Sequence, residues 1–92
     1  MIVRILDEGQ YRLESAYLDR LNEIDNMLVA VVAGESGHAF EPLFRQMLEL
    51  VRDNGEPLAD DELITSDVIL PSPAMQLADI KALFTGEGVV PG

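Results

Sequence analysis

The sequence predicts an α+β domain in which an N-terminal β-hairpin is followed by an antiparallel helical hairpin, a short third strand and a C-terminal helix. Two observations support this prediction. Apolar residues alternate on both sides of a glycine-containing turn near the start of the chain, and two later segments repeat apolar residues every three or four positions. A chain of 92 residues suits one domain, so we predict a single domain over residues 1–92.

The hairpin is predicted from residues 2–6 and 10–13, which form its two strands. Residues 7–9 join them, and the glycine of this turn is expected to take the left-handed conformation of a three-residue loop. Arg4 and Arg12 occupy matching places and are expected to lie opposite each other. Two strands alone are only marginally stable, so the hairpin must pack on other elements or pair with another strand.

The first helix is predicted over residues 16–33, with Ser15 as its N-cap and Gly34 as a left-handed C-terminal cap. The acidic residues of this segment, Asp25 among them, are expected to lie away from the apolar face. That face repeats with steps of four and three and consists of Tyr17, Leu21, Ile24, Leu28 and Val31.

The second helix is predicted over residues 38–53, with Pro42 in its first turn, where a missing backbone N–H costs least. A short connection makes the two helices antiparallel neighbours. The apolar face of this second helix consists of Phe40, Leu43, Phe44, Met47, Leu50 and Val51.

The last third of the chain is predicted to begin with an acidic, turn-rich connector. Residues 67–71 then have the β-branched content of a third strand that ends at a proline. A final helix over residues 76–84 is expected to present Leu77, Ile80, Leu83 and Phe84 on one face.

Both long helices carry apolar faces wider than a two-helix contact needs. Packing within the chain explains such faces. Contact with a second copy or another protein also explains them, because a domain this small gains stability from association. We expect core packing for most of each face, and a homo-oligomer stays an alternative.

The net charge of the chain limits the classes of molecule that it is expected to bind. Seventeen acidic and six basic residues give a net charge of −11, and a field of this sign repels nucleic acid phosphates and anionic lipid headgroups. We therefore expect no nucleic acid binding and no direct membrane insertion. The acidity either selects a basic partner or serves solubility. The start of the chain does not resemble a signal peptide, and its longest apolar run is too short to span a bilayer, so a cytoplasmic protein is expected.

Catalytic and ligand-binding patterns are weak, and we expect no enzyme activity and no cofactor or metal. There are no cysteines, so disulfides and thiolate sites are excluded. Ser36 and His38 are neighbours, but both stand at a helix start, where capping explains them. Asp60, Asp61 and Glu62 form the densest acidic run, without the alternating spacing of a calcium loop. A hydrolase or transferase would need buried carboxylates in a cleft.

Four blocks of the sequence resemble a known family. They are MIVRILDEGQYRLE at the start, LVRDNGEPLADDELITSD at the exit of the second helix, the VILP that follows, and IKALFTGEGVVPG at the end. In this order they resemble the PspA-associated proteins (PspAA), small proteins encoded beside phage shock protein A. The resemblance covers essentially the whole chain and includes no catalytic motif.

The resemblance implies a non-enzymatic accessory of the phage shock response, in which PspA-type proteins assemble on stressed membranes and maintain envelope integrity. We expect an acidic adaptor that contacts PspA and is recruited through it to the inner face of the membrane. The alternative is a small-molecule or ion sensor of the same system, with a polar pocket between hairpin and helices. The expected partner surface uses the hairpin edge and exposed helix residues, and its candidate residues are Arg4, Tyr11, Arg12, Tyr17, Asp60, Asp61 and Glu62.

Overall fold

The computed structural model describes residues 1–34, 37–59, 64–85 and 89, and only the backbone of residues 37 and 38. Ser36, the side chain of His38, and the acidic run 60–62 therefore lie outside the description. The elements, in chain order, are β1 (Ile2–Ile5), β2 (Gly9–Arg12), α1 (Leu18–Ala33), α2 (Gly37–Asn54), β3 (Glu56–Pro57), β4 (Val68–Leu70) and α3 (Leu77–Ala82). This arrangement is the predicted α+β fold, with one strand more than expected.

The four strands form one sheet in the order β3-β2-β1-β4. β1 pairs antiparallel with β2, and β4 joins the other side of β1 in parallel, with Val3 beside Val68 and Ile5 beside Leu70. β3 has only two residues and extends the sheet beyond β2. The sequence prediction missed β3 because glutamate and proline are both poor strand formers.

The expected pairing of Arg4 with Arg12 is wrong. Arg4 lies opposite Gln10, and Arg12 lies opposite Ile2. The reason is the position of the turn, which occupies residues 6–8 so that Ile5 pairs with Gly9. Asp7 takes the left-handed conformation there with φ 67°, and Gly9 has φ 140°. Gly9 thus has the predicted positive φ, and Asp7 has one as well. Aspartate tolerates the left-handed region better than most residue types.

The chain between β3 and β4 crosses from one edge of the sheet to the other. Gln10 fixes the described part of this crossing, because its side-chain amide donates to the Ile64 carbonyl oxygen at 2.7 Å and to the Ser66 hydroxyl at 2.8 Å. Gln10 is buried, and these two bonds satisfy a group that would otherwise be costly to remove from water.

α1 begins two residues later than predicted. Residues 15–17 form a 3-10 turn, in which the N–H of Tyr17 bonds to the Glu14 carbonyl, so Ser15 lies inside the turn and does not cap the helix. At the other end, Gly34 has φ −87° and its N–H still bonds to the Ala30 carbonyl. Gly34 therefore ends α1 as its C-cap, as predicted, but in a right-handed rather than the expected left-handed conformation.

α2 is the longer helix and contains Pro42 in its second turn, where the sequence placed it in the first. Only a short connection separates α1 from α2, and the two helices pack against each other, as expected for antiparallel neighbours. The basic residue of the last turn is Arg52, as predicted.

The core lies between one face of the sheet and the helices. Three phenylalanine rings form its densest part: Phe84 meets Phe40 and Phe44 edge-on, with centroids 5.5 and 6.2 Å apart. Lys81 lies over the Phe40 ring at 5.8 Å. The buried apolar residues are Val3, Ile5, Leu13, Leu21, Ile24, Leu28, Phe40, Phe44, Met47, Leu48, Val51, Val68, Leu70, Ile80 and Phe84.

α3 is shorter than predicted and buries a narrower face. Ile80 and Phe84 are in the core, whereas Leu77 and Leu83 are 40% and 44% exposed. Gln76 occupies the N-cap position without a side-chain hydrogen bond. Among the described residues, no helix has the length and apolar character required to cross a membrane.

Candidate partner-binding surfaces

The two faces of the sheet separate the predicted surface residues. Tyr11 lies opposite Val3 on the helix side of the sheet, and it is half-buried. Arg4 and Arg12 are exposed and project from the other side, called here the outer face. Tyr17 is half-buried and packs against the core. The predicted residues thus do not form one surface, and Asp60–Glu62 lie outside the described residues.

The hairpin offers no free edge of the kind expected for a partner. β1 is paired on both sides, with β2 and with β4, and the far side of β2 pairs with β3. The hairpin was expected to pack on other elements or pair with another strand, and it pairs with two short strands that are distant in sequence. Which strands these are could not be predicted, because strands so short have weak sequence signals. The edges of the sheet are β3 and β4 instead.

A polar cluster joins the hairpin turn to the end of α2. The Glu8 carboxylate accepts hydrogen bonds from the Tyr11 hydroxyl at 2.7 Å and from Arg52 Nε at 2.8 Å, while Arg52 Nη2 contacts its second oxygen. A forked arginine–carboxylate pair of this geometry is directional as well as charge-assisted. Tyr11 belongs to the predicted set, but it is engaged within the chain.

The three groups of this cluster shift each other's pKa values. Hydrogen bonding from Arg52 holds the pKa of Glu8 below its ordinary value. The hydrogen bond to Glu8 raises the pKa of Tyr11, and the same carboxylate raises the pKa of Arg52. Each polar group has a partner in the cluster, so the arrangement leaves neither a free base nor a free nucleophile.

Gly55 allows α2 and β2 to approach each other beside this cluster. A Cβ atom at Gly55 would lie 2.5 Å from the Val51 carbonyl oxygen and 2.9 Å from Tyr11 Cβ. Both distances are too short for ordinary contact, so a larger residue would push the end of α2 away from the sheet. The glycine here serves close packing rather than a left-handed turn.

Replacing Glu8 by glutamine is expected to lower the free energy of unfolding by about 0.2–1 kcal/mol near neutral pH, the range for exposed ion pairs. The pKa of Glu8 is lowered in the folded state. The ionised carboxylate therefore stabilises the fold above the unfolded pKa near 4.5, and this stabilisation is lost as the pH falls through the folded pKa.

Urea denaturation of the wild-type protein and Glu8→Gln across this pH range measures the difference. Glu14→Gln is the control, because it removes an exposed carboxylate that has no ion pair among the described residues. Equal pH profiles for the two variants would contradict the prediction.

A groove of about 420 Å³ lies between α2 and residues 73–80, which include the start of α3. Its floor is apolar, and charged α2 residues spaced by three and four positions form its rim. The groove is lined by Glu41, Phe44, Arg45, Leu48, Glu49, Arg52, Pro73, Met75, Leu77 and Ile80. The alternative of a sensor predicts a polar pocket between hairpin and helices. The described residues there include the apolar core, and the sensor stays a prediction.

Asp25 is buried, although the sequence prediction placed it away from the apolar face of the helix. Its side chain is completely buried in α1, and Oδ1 accepts the N–H of Val89 at 3.1 Å. The residue spacing could have predicted this burial, because Asp25 stands four residues after Leu21 and three before Leu28, on the apolar face itself. The carboxylate holds Val89 against the core, whereas Val90 lies outside the described residues.

Comparison with known proteins agrees with the resemblance noted in the sequence. The model of one protein family, described as PspA-associated protein, matches residues 1–92 and thus the whole chain. No curated protein and no solved structure shows a significant match. The chain belongs to the family of PspA-associated proteins.

Proposed function

We propose that the chain is a non-enzymatic accessory protein of the phage shock response that works by direct contact with a PspA-type protein. The observation that carries the proposal is the family match over residues 1–92, since the family is described by its association with PspA. In this proposal the chain is cytoplasmic and reaches the inner face of the membrane through its partner.

The character of the polar groups supports a binding role over a catalytic one. Active sites collect groups whose pKa values are shifted and whose reactive atoms remain available. The cluster of Glu8, Tyr11 and Arg52 has shifted pKa values, but its groups are engaged with each other. Asp25, the buried carboxylate of α1, accepts the backbone N–H of Val89.

Exposed apolar side chains supply contact area for a partner. Large apolar residues remain at least one-third exposed in β4, α3, α1 and the hairpin turn, although the chain has a well-filled core. Such residues beside charged groups are typical of protein interfaces. The exposed set is Leu6, Leu18, Met27, Ile69, Leu77 and Leu83.

The purified chain is expected to form a complex with the purified PspA-type protein of the same organism at low salt, measured by biolayer interferometry. The affinity should fall as salt rises, because a chain of charge −11 binds with a substantial electrostatic contribution. An unrelated protein of similar size and acidity serves as control. The absence of a complex at low salt would refute direct contact. In that case, a ligand-induced rise in melting temperature would favour the sensor, with the α2 groove as its site.

A further inference from the structure

The rim of the α2 groove carries charges of both signs in a regular order. Its charged residues, which all line the groove, are Glu41, Arg45, Glu49 and Arg52. They follow each other along α2 at steps of four, four and three positions, and residues at such steps lie on one face of a helix. Their charges alternate and cancel, whereas the whole chain has a net charge of −11. The rim is therefore a locally neutral part of an acidic molecule.

The rim charges are available to another molecule. Arg45 and Glu41 form a pair at 3.5 Å, in which the side chains are 64% and 67% exposed. Glu49 is exposed and forms no ion pair or hydrogen bond with any residue that the structure describes. Arg52 holds Glu8 through Nε and Nη2, and a guanidinium has further N–H donors. Exposed pairs within a chain contribute little, so their exchange for charges of a second molecule costs little.

The order of these charges is complementary to itself when two copies of α2 run antiparallel. A twofold axis that crosses α2 near Met47 places each residue opposite the one that stands equally far beyond the axis. Arg45 of one copy then faces Glu49 of the other, because both stand two positions from the axis. Glu41 stands six positions before the axis and Arg52 five positions after it, so these two meet within about 1.5 Å along the helix. One antiparallel contact thus forms four ion pairs between the copies.

The alternating charges do not fit a parallel pair of copies. A twofold axis along the helices would place every rim residue beside itself and bring like charges together at each position. In the antiparallel pair, the acidic Asp53 stands one position after Arg52, about 100° further round the helix, and it does not line the groove. The charge pattern of α2 therefore favours a second copy in one orientation.

Apolar side chains beside the rim supply contact area. Phe44 and Leu48 lie at the floor of the groove, and Met75 and Leu77 belong to its other wall. Leu77 is 40% exposed and Met75 is partly buried, so a helix laid against the groove removes both further from water. One helix and a short segment supply fewer than the about 20–30 residues per side of a standard interface. A weak dimer is therefore expected.

We propose that the α2 groove is a self-association surface, through which two copies of the chain form a twofold dimer with antiparallel α2 helices. The ion pairs of the rim set the direction of the helices, and Leu77 and the groove floor supply the apolar contact. The net charge of −11 on each copy opposes the approach, but this repulsion is screened beyond about 8 Å at physiological ionic strength. The dimer goes beyond the proposed function and does not depend on contact with PspA.

Sedimentation velocity of the full chain at physiological ionic strength tests the proposal. The wild-type chain is expected to change from monomer to dimer with a Kd on the order of 100 µM, since the interface is below standard size. A chain that stays monomeric up to about 1 mM, ten times that Kd, would overturn the proposal.

Exchanging the rim charges between two variants tests the pairing. Arg45→Glu and Glu49→Arg each place like charges opposite each other in their own homodimer, and each should raise the dimer Kd by about 5- to 30-fold. An equimolar mixture of the two variants should restore association, because the acidic rim of one then faces the basic rim of the other. The double variant Arg45→Glu, Glu49→Arg should dimerise like the wild-type chain, since it exchanges the two signs. If neither the mixture nor the double variant recovers the dimer, the antiparallel pairing is wrong.

Two exposed α1 residues provide the controls. Arg20→Glu changes the net charge as Arg45→Glu does, at an exposed arginine that also pairs with a glutamate of its own helix, and it should change the dimer Kd by less than about 2-fold. Leu77→Ala should raise this Kd by about 3- to 10-fold, whereas Met27→Ala, at a residue 42% exposed on α1, should leave it unchanged. Unchanged circular dichroism spectra and melting temperatures confirm that all variants fold. A wild-type dimer that Arg45→Glu and Leu77→Ala leave intact would use another surface and contradict the proposal.

The PspA-type protein is the competing occupant of the groove. If the chain is monomeric at every concentration while Arg45→Glu weakens its binding to the PspA-type protein, the groove is a contact for that protein and the dimer is refuted. If the chain dimerises as expected but binds no PspA-type protein, direct contact in the proposed function fails and the dimer stands.

Discussion

Replacing Phe84 by alanine is expected to lower the free energy of unfolding by about 3–5 kcal/mol, the usual cost of removing a buried aromatic ring. Phe84 is completely buried and lies edge-on to both Phe40 and Phe44. Its ring joins the end of α3 to α2, so the substitution removes apolar burial and two aromatic contacts together. Urea denaturation followed by circular dichroism measures the change.

The neighbouring residue supplies the control for Phe84. Leu83→Ala removes a large apolar side chain that is 44% exposed and should cost less than about 1 kcal/mol. A small domain has only about 5–15 kcal/mol of stability, so Phe84→Ala risks unfolding the protein. The milder Phe84→Leu, with an expected loss of about 1–2 kcal/mol, then keeps the prediction measurable. Equal losses for Leu83→Ala and Phe84→Leu would contradict the assigned packing.

Replacing Asp25 by alanine is expected to lower the free energy of unfolding by about 1–3 kcal/mol, because the partly buried N–H of Val89 loses its acceptor. The carboxylate is completely buried and binds that N–H at 3.1 Å. The segment at Val89 should also loosen, and the Val89 amide should exchange its hydrogen faster than in the wild-type protein. Urea denaturation gives the stability, and hydrogen exchange followed by NMR gives the local effect.

Asn26→Ala is the matched control for Asp25→Ala. Asn26 is the next residue of α1 and is exposed, and asparagine and aspartate have similar helix propensities. Both substitutions therefore raise the helix propensity of α1 by the same small amount. Only Asp25→Ala also removes the hydrogen bond to Val89. Asn26→Ala should be neutral or slightly stabilising, by no more than about 0.5 kcal/mol. Unchanged exchange at Val89 in Asp25→Ala would show that the carboxylate does not hold this segment.

The helices were the most predictable part of the fold. Apolar repeats with steps of three and four locate α1 and α2 closely, because burying one face of a helix leaves a strong periodic signal. The buried positions Leu21, Ile24 and Leu28 were all predicted. The start of α1 was less predictable, since Ser15, a common capping residue, lies within a 3-10 turn here. The C-cap Gly34 was predicted, but not its right-handed conformation.

The sheet and the candidate surface depend on distant pairings that leave little local signal. β3 has two residues of low strand propensity, and its pairing with β2 and that of β4 with β1 exclude the free hairpin edge. The register that separates Arg4 from Arg12 follows from a turn conformation at Asp7. Arg4 and Arg12 were nevertheless selected from sequence, and the structure adds that both are exposed on one face of the sheet, with Arg4 beside Ile69.

The parallel pairing of β1 with β4 has a consequence for the order of folding. Ile2 and Asp67, which bond at the start of this pairing, are separated by 65 positions in the chain. The hairpin and the α1–α2 pair rely on nearer contacts and can form while the ribosome still holds the later residues, whereas β4 joins last. Ile69, Arg4 and Arg12 come from three different strands, so they are assembled only when synthesis has passed β4. One side of β1 is therefore an unpaired edge in a nascent chain and is closed in a finished one.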